Sequence, residues 1–168
     1  MSLVQALIAE LDQESRATHA LLARVPGANP GWRPHPKSMP LGTLAMHIAE
    51  MPHWSPNIVT ESGYDVAPVD GPPHVVPAFT GAADATAMFD AGVASCRAAL
   101  SQTTDGSLAE PWNFIMGGQV LFTMPRSAAL RNWVFNHMVH HRAQLGVYLR
   151  LLDVPLPGTY GPSADESM

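Results

Sequence analysis

The stretch NHMVHHRAQL, residues 136–145, holds three histidines within five positions. If it forms a helix, His137 and His141 lie one turn apart on one face, with Cβ atoms about 5–6 Å apart. Two imidazoles at that distance can bind one metal ion, as they do in HExxH zinc helices. The three residues between them are Met, Val and His, so the motif contains no glutamate base. This spacing therefore indicates a metal site but not a protease of the HExxH class.

The apolar pattern of the segment predicts which of its histidines face the protein core. At 3.6 residues per turn, the apolar stripe centres near His141 with His137 to one side, whereas His140 lies about 100° away, toward solvent or a subunit contact. In an upstream segment, His47 falls on the apolar stripe as well. An imidazole buried without a partner costs about 1–3 kcal/mol. One shared divalent metal would satisfy all three inward histidines.

Other interpretations of these histidines remain open. A single inward histidine is more often a hydrogen-bonded core residue than a ligand, but a pair at this spacing with a third on another helix favours a metal. Without an ion, His137 and His141 would hydrogen-bond to polar groups across the core. His53 is an alternative third ligand. We interpret the remaining histidines, away from these motifs, as surface or loop residues: His19, His35 and His74.

Proline-rich connections separate four segments with helical apolar periodicity. Pro52 and Pro56 interrupt the second segment and predict a kink. Gly117-Gly118 lies between two short apolar runs, which favours a small hairpin over an irregular loop. The pattern predicts an all-α four-helix bundle with long crossover connections, and a single domain over residues 1–168. The predicted helices span about residues 3–24, 41–62, 81–102 and 125–153.

Composition excludes several classes of function. The net charge is −5 with nine Lys and Arg, so the chain lacks the basic surface of a nucleic-acid binder. No apolar run approaches the roughly 20 residues that span a bilayer. Cys96 is the single cysteine, which precludes an internal disulfide, and the N-terminus is typical of a helix rather than a signal peptide. We expect a cytoplasmic protein, and the charged fraction of 14% suggests that a partner subunit covers some surface.

Two stretches resemble the DinB-like, damage-inducible family of four-helix proteins. They are WRPHPKSMPLGTLAMHIA, residues 32–49, and NHMVHHRAQLGVYLRLLDVPLPGTYGPSADE, residues 136–166. The resemblance implies a metal bound by one histidine of the second helix and two of the fourth, which map to His47, His137 and His141. It also implies a homodimer, and an activity such as that of the thiol-dependent S-transferases and maleylpyruvate isomerase in this family.

Three histidine ligands leave a coordination position open, which is typical of catalytic rather than structural sites. Nitrogen ligands suit several divalent transition metals, of which we favour Zn or Ni. Such an ion would ionise a bound thiol or activate a water. The leading hypothesis is a metal-dependent S-transferase or isomerase that uses a low-molecular-weight thiol and a small-molecule substrate. The alternatives are a non-catalytic, dimeric metal-binding stress protein and a hydrolase that uses metal-bound water.

Several residues near these histidines have two interpretations each. Glu50, three positions after His47, is interpreted mainly as an exposed helix residue, with hydrogen bonding to the metal site as the alternative. Gln144, three after His141, orients a ligand or a substrate only in a minor interpretation. Arg142 either binds a substrate carboxylate or lies in a dimer contact. The remaining residues are interpreted mainly as core, with pocket walls as the alternative for the two tryptophans: Trp54, Cys96, Trp133 and Tyr148.

Overall fold

Helices and a small sheet alternate along the chain in the computed structural model, which describes residues 1–72 and 74–166. None of the described helices is both long and apolar enough to cross a bilayer. In chain order the elements are α1 (Leu3–Leu22), α2 (Leu41–Glu50), a 3-10 turn (Met51–Trp54), α3 (Ser55–Thr60), β1 (Gly63–Asp65), α4 (Ala82–Ser101), α5 (Asp105–Leu108), β2 (Pro111–Met116), β3 (Gln119–Pro125), α6 (Arg126–Leu130), a π-helical segment (Arg131–Phe135) and α7 (Asn136–Leu151).

The four predicted helical segments are present, and two of them are interrupted. Helix α1 begins at a capping box in which Ser2 and Gln5 bond each other's backbone amides. The second segment changes to a 3-10 turn at Met51–Trp54, as the prolines in it predicted. The fourth begins directly after Pro125 and passes through one π-helical turn before α7. Such π turns are common near functional sites because they shift the faces of the helix that follows.

The prediction of an all-α four-helix bundle is wrong, because the chain also contains a three-stranded mixed sheet in the order β1-β2-β3. Strand β1 pairs in parallel with β2, while β2 and β3 form an antiparallel hairpin. Strand β1 is three residues long and lies in a segment that we predicted to be irregular. A strand of three residues is too short to show an alternation of polar and apolar residues. Its extended form depends on the neighbouring hairpin edge.

The predicted hairpin is present, and its turn is tied to β1. Gly117 and Gly118 have φ values of 59° and 76°, the left-handed conformations that a two-residue hairpin turn of this kind requires. Their amides donate hydrogen bonds to the Asp65 carboxylate at 3.1 and 2.7 Å. Asp65 thereby holds the end of β1 against the turn. Loss of hydration raises the pKa of its carboxyl, but these bonds and one from the Ala67 amide together lower it.

Two apolar cores lie on either side of the 3-10 turn. One joins the C-terminal part of α1 to α2, α4 and α7. The other joins the N-terminal part of α1 to α3, α6, the π-helical segment and β2. Trp54, at the end of the 3-10 turn, packs against both. The junction between the cores is where the polar groups described below converge.

A buried ion pair joins α7 to α1 and is covered by the C-terminal tail. Arg142 Nη2 lies 2.7 Å from Glu14 Oε2, and their side chains are 4% and 8% exposed. Arg142 also donates to Thr18 Oγ1 at 3.2 Å. The Tyr160 hydroxyl accepts from Arg142 and donates to Glu14, at 2.6 and 2.8 Å. Arg142 is therefore a buried structural residue, and neither of its predicted roles, in substrate binding or in a dimer contact, fits this position.

Removal of one member of this pair is expected to destabilise the protein strongly. Glu14→Ala leaves the Arg142 guanidinium buried without its counter-ion, and should lower the free energy of unfolding by about 3–5 kcal/mol. Glu10→Ala is the matched control, because Glu10 pairs with Arg131 in a partly exposed position, where such pairs contribute about 0–1 kcal/mol. Urea unfolding of both variants measures the difference. Equal losses would contradict a structural role for the buried pair.

Candidate metal centre

The three predicted ligands, His47, His137 and His141, meet at the junction of the two cores. The Nε2 atoms of His137 and His141 lie 2.9 Å apart. The ring of His47 is 5.1 Å from that of His137 and 4.9 Å from that of His141, measured between centroids. One nitrogen of each residue lies within 4.8 Å of the others, an arrangement that could hold a metal ion.

Two hydrogen bonds orient the outer histidines of this triad. His47 Nδ1 donates to Glu50 Oε1 at 2.8 Å, and His141 Nδ1 donates to Gln144 Oε1 at 2.7 Å. The Gln144 amide nitrogen in turn lies 3.1 Å from Nε2 of His140. Because Nδ1 carries the proton in both residues, each Nε2 presents a lone pair to the cluster. Glu50 is 3% exposed, so its interpretation as an exposed helix residue is wrong. Gln144 orients the His141 ring through its hydrogen bond, which agrees with the minor interpretation of this residue.

His137 is the most constrained member of the triad. Burial lowers its pKa to about 4, with repulsion from His141 and His47 in their charged forms adding to the shift. The backbone carbonyl of Trp133 opposes this, but Nδ1 of His137 makes no hydrogen bond of normal geometry among the described residues. Burial also lowers the pKa of His141, although its bond to Gln144 offsets part of this. Both rings are therefore neutral at pH 7, the form that binds metal.

The donor set and its spacing fit a divalent transition metal. Imidazole nitrogens bound at about 2.0–2.1 Å around a tetrahedral ion stand about 3.4 Å apart, so the 2.9 Å separation of the His137 and His141 nitrogens needs only a small adjustment. Without an ion, His137 Nε2 would donate to His141 and leave its own buried Nδ1 as an unpaired acceptor. Three converging nitrogen donors suit Zn, Ni, Cu or Fe.

A pocket of about 610 Å³ opens beside the triad, and His47 and His137 form part of its wall. Trp54 and Trp133 also line it, so the alternative interpretation of both residues as pocket walls holds. His74 Nε2 lies 3.0 Å from Glu50 Oε2, which places Glu50 between two histidines. His74 is an exposed loop residue, as predicted. No sequence signal marked its contact with Glu50, because its position depends on how the long connection folds over the pocket.

The other candidates lie apart from the triad. His53 is exposed and bonds the Met88 carbonyl at 2.9 Å, so the cluster among the described residues does not include it. His140 is exposed, as predicted. Tyr148 is buried and donates to a backbone carbonyl at 3.2 Å, as expected of a satisfied core residue. Cys96 is fully buried, and burial raises its pKa to about 11, which confirms that it is an inert core thiol.

The chain joins helices to a small three-stranded sheet, and it brings together three histidines that could hold a metal ion. The model of the DinB family matches residues 2–168, so the chain belongs to the DinB family. The resemblance in the two histidine-bearing segments is thus confirmed.

Three known proteins are similar to this chain. The uncharacterized protein YrdA of Bacillus subtilis (strain 168) is 37% identical over 82 residues, 49% of this chain and 46% of YrdA, so the match spans about half the length of that relative. The crystal structure of a DinB-like protein from Bacillus cereus ATCC 10987 superposes with a TM-score of 0.71 at 22% identity, over 93% of this chain and 97% of the other. The DinB-like protein YjoA of Bacillus subtilis gives 0.67 at 16% identity, over 97% and 99%. At these identities, the two structures support the fold.

The lowered pKa of His137 predicts how the metal-free protein responds to acid. Above pH 6.5, His137 is neutral in both the folded and the unfolded chain and has no effect. As the pH falls from about 6.5 toward 4, the unfolded chain takes up this proton first, so the folded state loses stability. The free energy of unfolding of metal-free wild type should thus fall more between pH 7.5 and 5 than that of His137→Asn.

Urea unfolding at the two pH values makes this measurement. The control is His35→Asn, which alters an exposed histidine far from the triad and should show the same fall as wild type. If His137→Asn loses as much stability as wild type, then His137 is not held neutral by its surroundings.

Proposed function

We propose that this protein is a metal-dependent enzyme that acts on a small molecule. His47, His137 and His141 would hold one divalent transition metal, Zn or Ni, through their Nε2 atoms. The observation that carries the proposal is that His47 and His137 belong both to the triad and to the wall of the 610 Å³ pocket. A three-histidine site leaves room for a further ligand, and the pocket provides the space beside it for a substrate.

We favour a thiol-dependent S-transferase or isomerase over a hydrolase. A divalent ion at this site would lower the pKa of a thiol or a water that reaches it. A thiol ionises more readily than a water, because a free thiol has a pKa of about 8.5 and a free water one of about 15.7, so a hydrolase gains more from a base that takes the water proton. Among the described residues that line the pocket, Glu50 is the one carboxylate, and His47 and His74 bond both of its oxygens. A thiol needs no such base, and the family resemblance to thiol-dependent transferases points the same way.

The side chains around the triad have separate tasks in this proposal. Glu50 and Gln144 hold the Nδ1 protons of His47 and His141, so that each ring keeps its lone pair directed at the metal. Trp54 lies 5.7 and 5.8 Å from the rings of His47 and His137, measured between centroids, and forms an apolar wall beside them. The low polarity there strengthens electrostatic interactions at the reacting atoms.

A homodimer belongs to the proposal as well. Val147 and Leu151 are 60% and 58% exposed on α7, on a face that a second subunit would cover. The charged fraction of 14% agrees with a partly covered surface.

Metal content is the first test of the proposed site. Protein purified without an affinity tag should contain about one transition metal ion per chain, as one three-histidine site requires. His141→Ala should remove nearly all of it, whereas His140→Ala should retain it, because His140 lies outside the triad. Elemental analysis by inductively coupled plasma mass spectrometry measures this. Equal metal contents in the two variants would refute the ligand assignment.

Thiol consumption tests the activity. Metal-loaded protein is incubated with cysteine, N-acetylcysteine or coenzyme A, together with an electrophile such as an aryl halide or an epoxide, and the remaining thiol is titrated. We expect loss of thiol with at least one pair, by at least a factor of 10² over the protein-free rate, a modest enzymatic acceleration. His141→Ala should abolish this excess and His140→Ala should preserve it. Rates equal to the protein-free controls for every pair would contradict the proposed transferase.

A further inference from the structure

The described wall of the pocket beside the triad contains no lysine and no arginine, and Glu50 is its one acid. Its four histidines already have partners: His47 and His74 bond Glu50, His53 bonds the Met88 carbonyl, and His137 bonds His141. Both Glu50 oxygens are already bonded, to His47 at 2.8 Å and to His74 at 3.0 Å. In the metal-free protein, an anionic group in the pocket would lose its hydration without gaining a lysine or arginine as counter-ion, which disfavours its binding.

Aromatic rings form much of the remaining wall. Trp133 stacks on Phe114, with ring centroids 4.6 Å apart and planes 13° from parallel. Trp112 is 3% exposed and packs at 6.5 Å from Phe114 on the same wall. Trp54 also lines the pocket, and its ring centroid lies 5.8 Å from that of His137 in the triad. Flat aromatic surfaces favour flat ligands, since stacked aromatic pairs gain stability beyond that of their buried area.

Three polar atoms of the wall residues have no hydrogen-bond partner among the described residues. They are the indole nitrogens of Trp112 and Trp133 and the side-chain oxygen of Asn57, all closed to solvent. Because these atoms are closed to solvent, a ligand reaches them only where the wall side chains turn toward the pocket. The two donors and one acceptor are uncharged, so the partners that suit them are neutral groups such as a carbonyl or an amide.

We propose that this pocket binds an uncharged, planar and largely apolar molecule that carries neutral polar groups. The proposal rests on the proposed function, in which this molecule would be the electrophile that a thiol attacks. A volume of about 610 Å³ lies within the roughly 300–1,000 Å³ of pockets that enclose drug-sized ligands. The charged parts of a thiol cosubstrate would stay outside the pocket, because nothing on its described wall pairs with them.

Two probes of one shape and different charge test the proposal. Calorimetric titration of metal-free protein compares 2-naphthamide, which is neutral, with 2-naphthoate, which is an anion at pH 7.5. Metal-free protein is used because a carboxylate could otherwise bind to the ion. We expect 2-naphthamide to bind at least tenfold more tightly. Similar affinities, tighter binding of 2-naphthoate, or no measurable binding of 2-naphthamide would overturn the proposal.

A pair of surface variants locates the binding. Val75 is 73% exposed and lines the pocket, so Val75→Lys places a cation on its wall with little risk to folding. This variant should bind 2-naphthoate at least tenfold more tightly than wild type does. Val69→Lys is the matched control, since Val69 is 79% exposed and does not line the pocket; it should leave the affinity unchanged. Equal effects of both variants would place the ligand elsewhere.

The outcomes separate this inference from the proposed function. Tight binding of 2-naphthamide, together with the finding that the protein as purified contains no metal ion, would support the ligand class and refute the metal-dependent enzyme. A protein that holds one metal per chain and consumes thiol, yet prefers 2-naphthoate when metal-free, would retain the function and refute the ligand class.

Discussion

The candidate metal centre depends on the crowding of three imidazoles at one point, and burial lowers the pKa of two of them, His137 and His141. The Nε2 atoms of His137 and His141 stand 2.9 Å apart, which no pair of protonated rings would tolerate at the junction of two apolar cores. Burial keeps the rings of His137 and His141 uncharged, and the oxygens of Glu50 and Gln144 accept the Nδ1 protons of His47 and His141. Without an ion, His137 Nε2 donates to His141 and leaves its buried Nδ1 unpaired among the described residues, and a shared cation is the group that would relieve this arrangement.

Helix α7 has its position because opposite sides of it are held by different interactions. His137 and His141 face α2, while Arg142 turns toward α1 and pairs with Glu14 under the hydroxyl of Tyr160. The π-helical turn directly before α7 shifts its faces relative to α6. On α2, His47 and the Glu50 carboxylate that orients it lie one turn apart, just before the 3-10 turn carries Trp54 into the pocket wall. Ion pair, triad and pocket are therefore parts of one arrangement.

Periodicity and residue type predicted the helices and the triad, because both depend on spacing along a single helix. The rotation of about 100° per residue correctly predicted that His140 faces away from the side of the helix that holds His137 and His141. Burial of the polar residues could not be predicted in the same way. Glu50 is buried because His47 and His74 reach it from different segments, and Arg142 is buried because α1 brings Glu14 opposite to it. The three-residue β1 forms only where the hairpin edge is available, so no local pattern marked it and the expectation of an all-α fold was wrong.

X-ray absorption spectroscopy of the zinc-loaded protein reports which atoms bind the metal and so tests the proposed three-histidine site. We expect three imidazole nitrogens at about 2.0–2.1 Å and one further light ligand, as in open zinc sites. Addition of a small thiol should then replace the light ligand with one sulfur at about 2.3 Å. Fewer than three imidazoles, or a complete set of four protein ligands that no thiol displaces, would contradict the proposed three-histidine site.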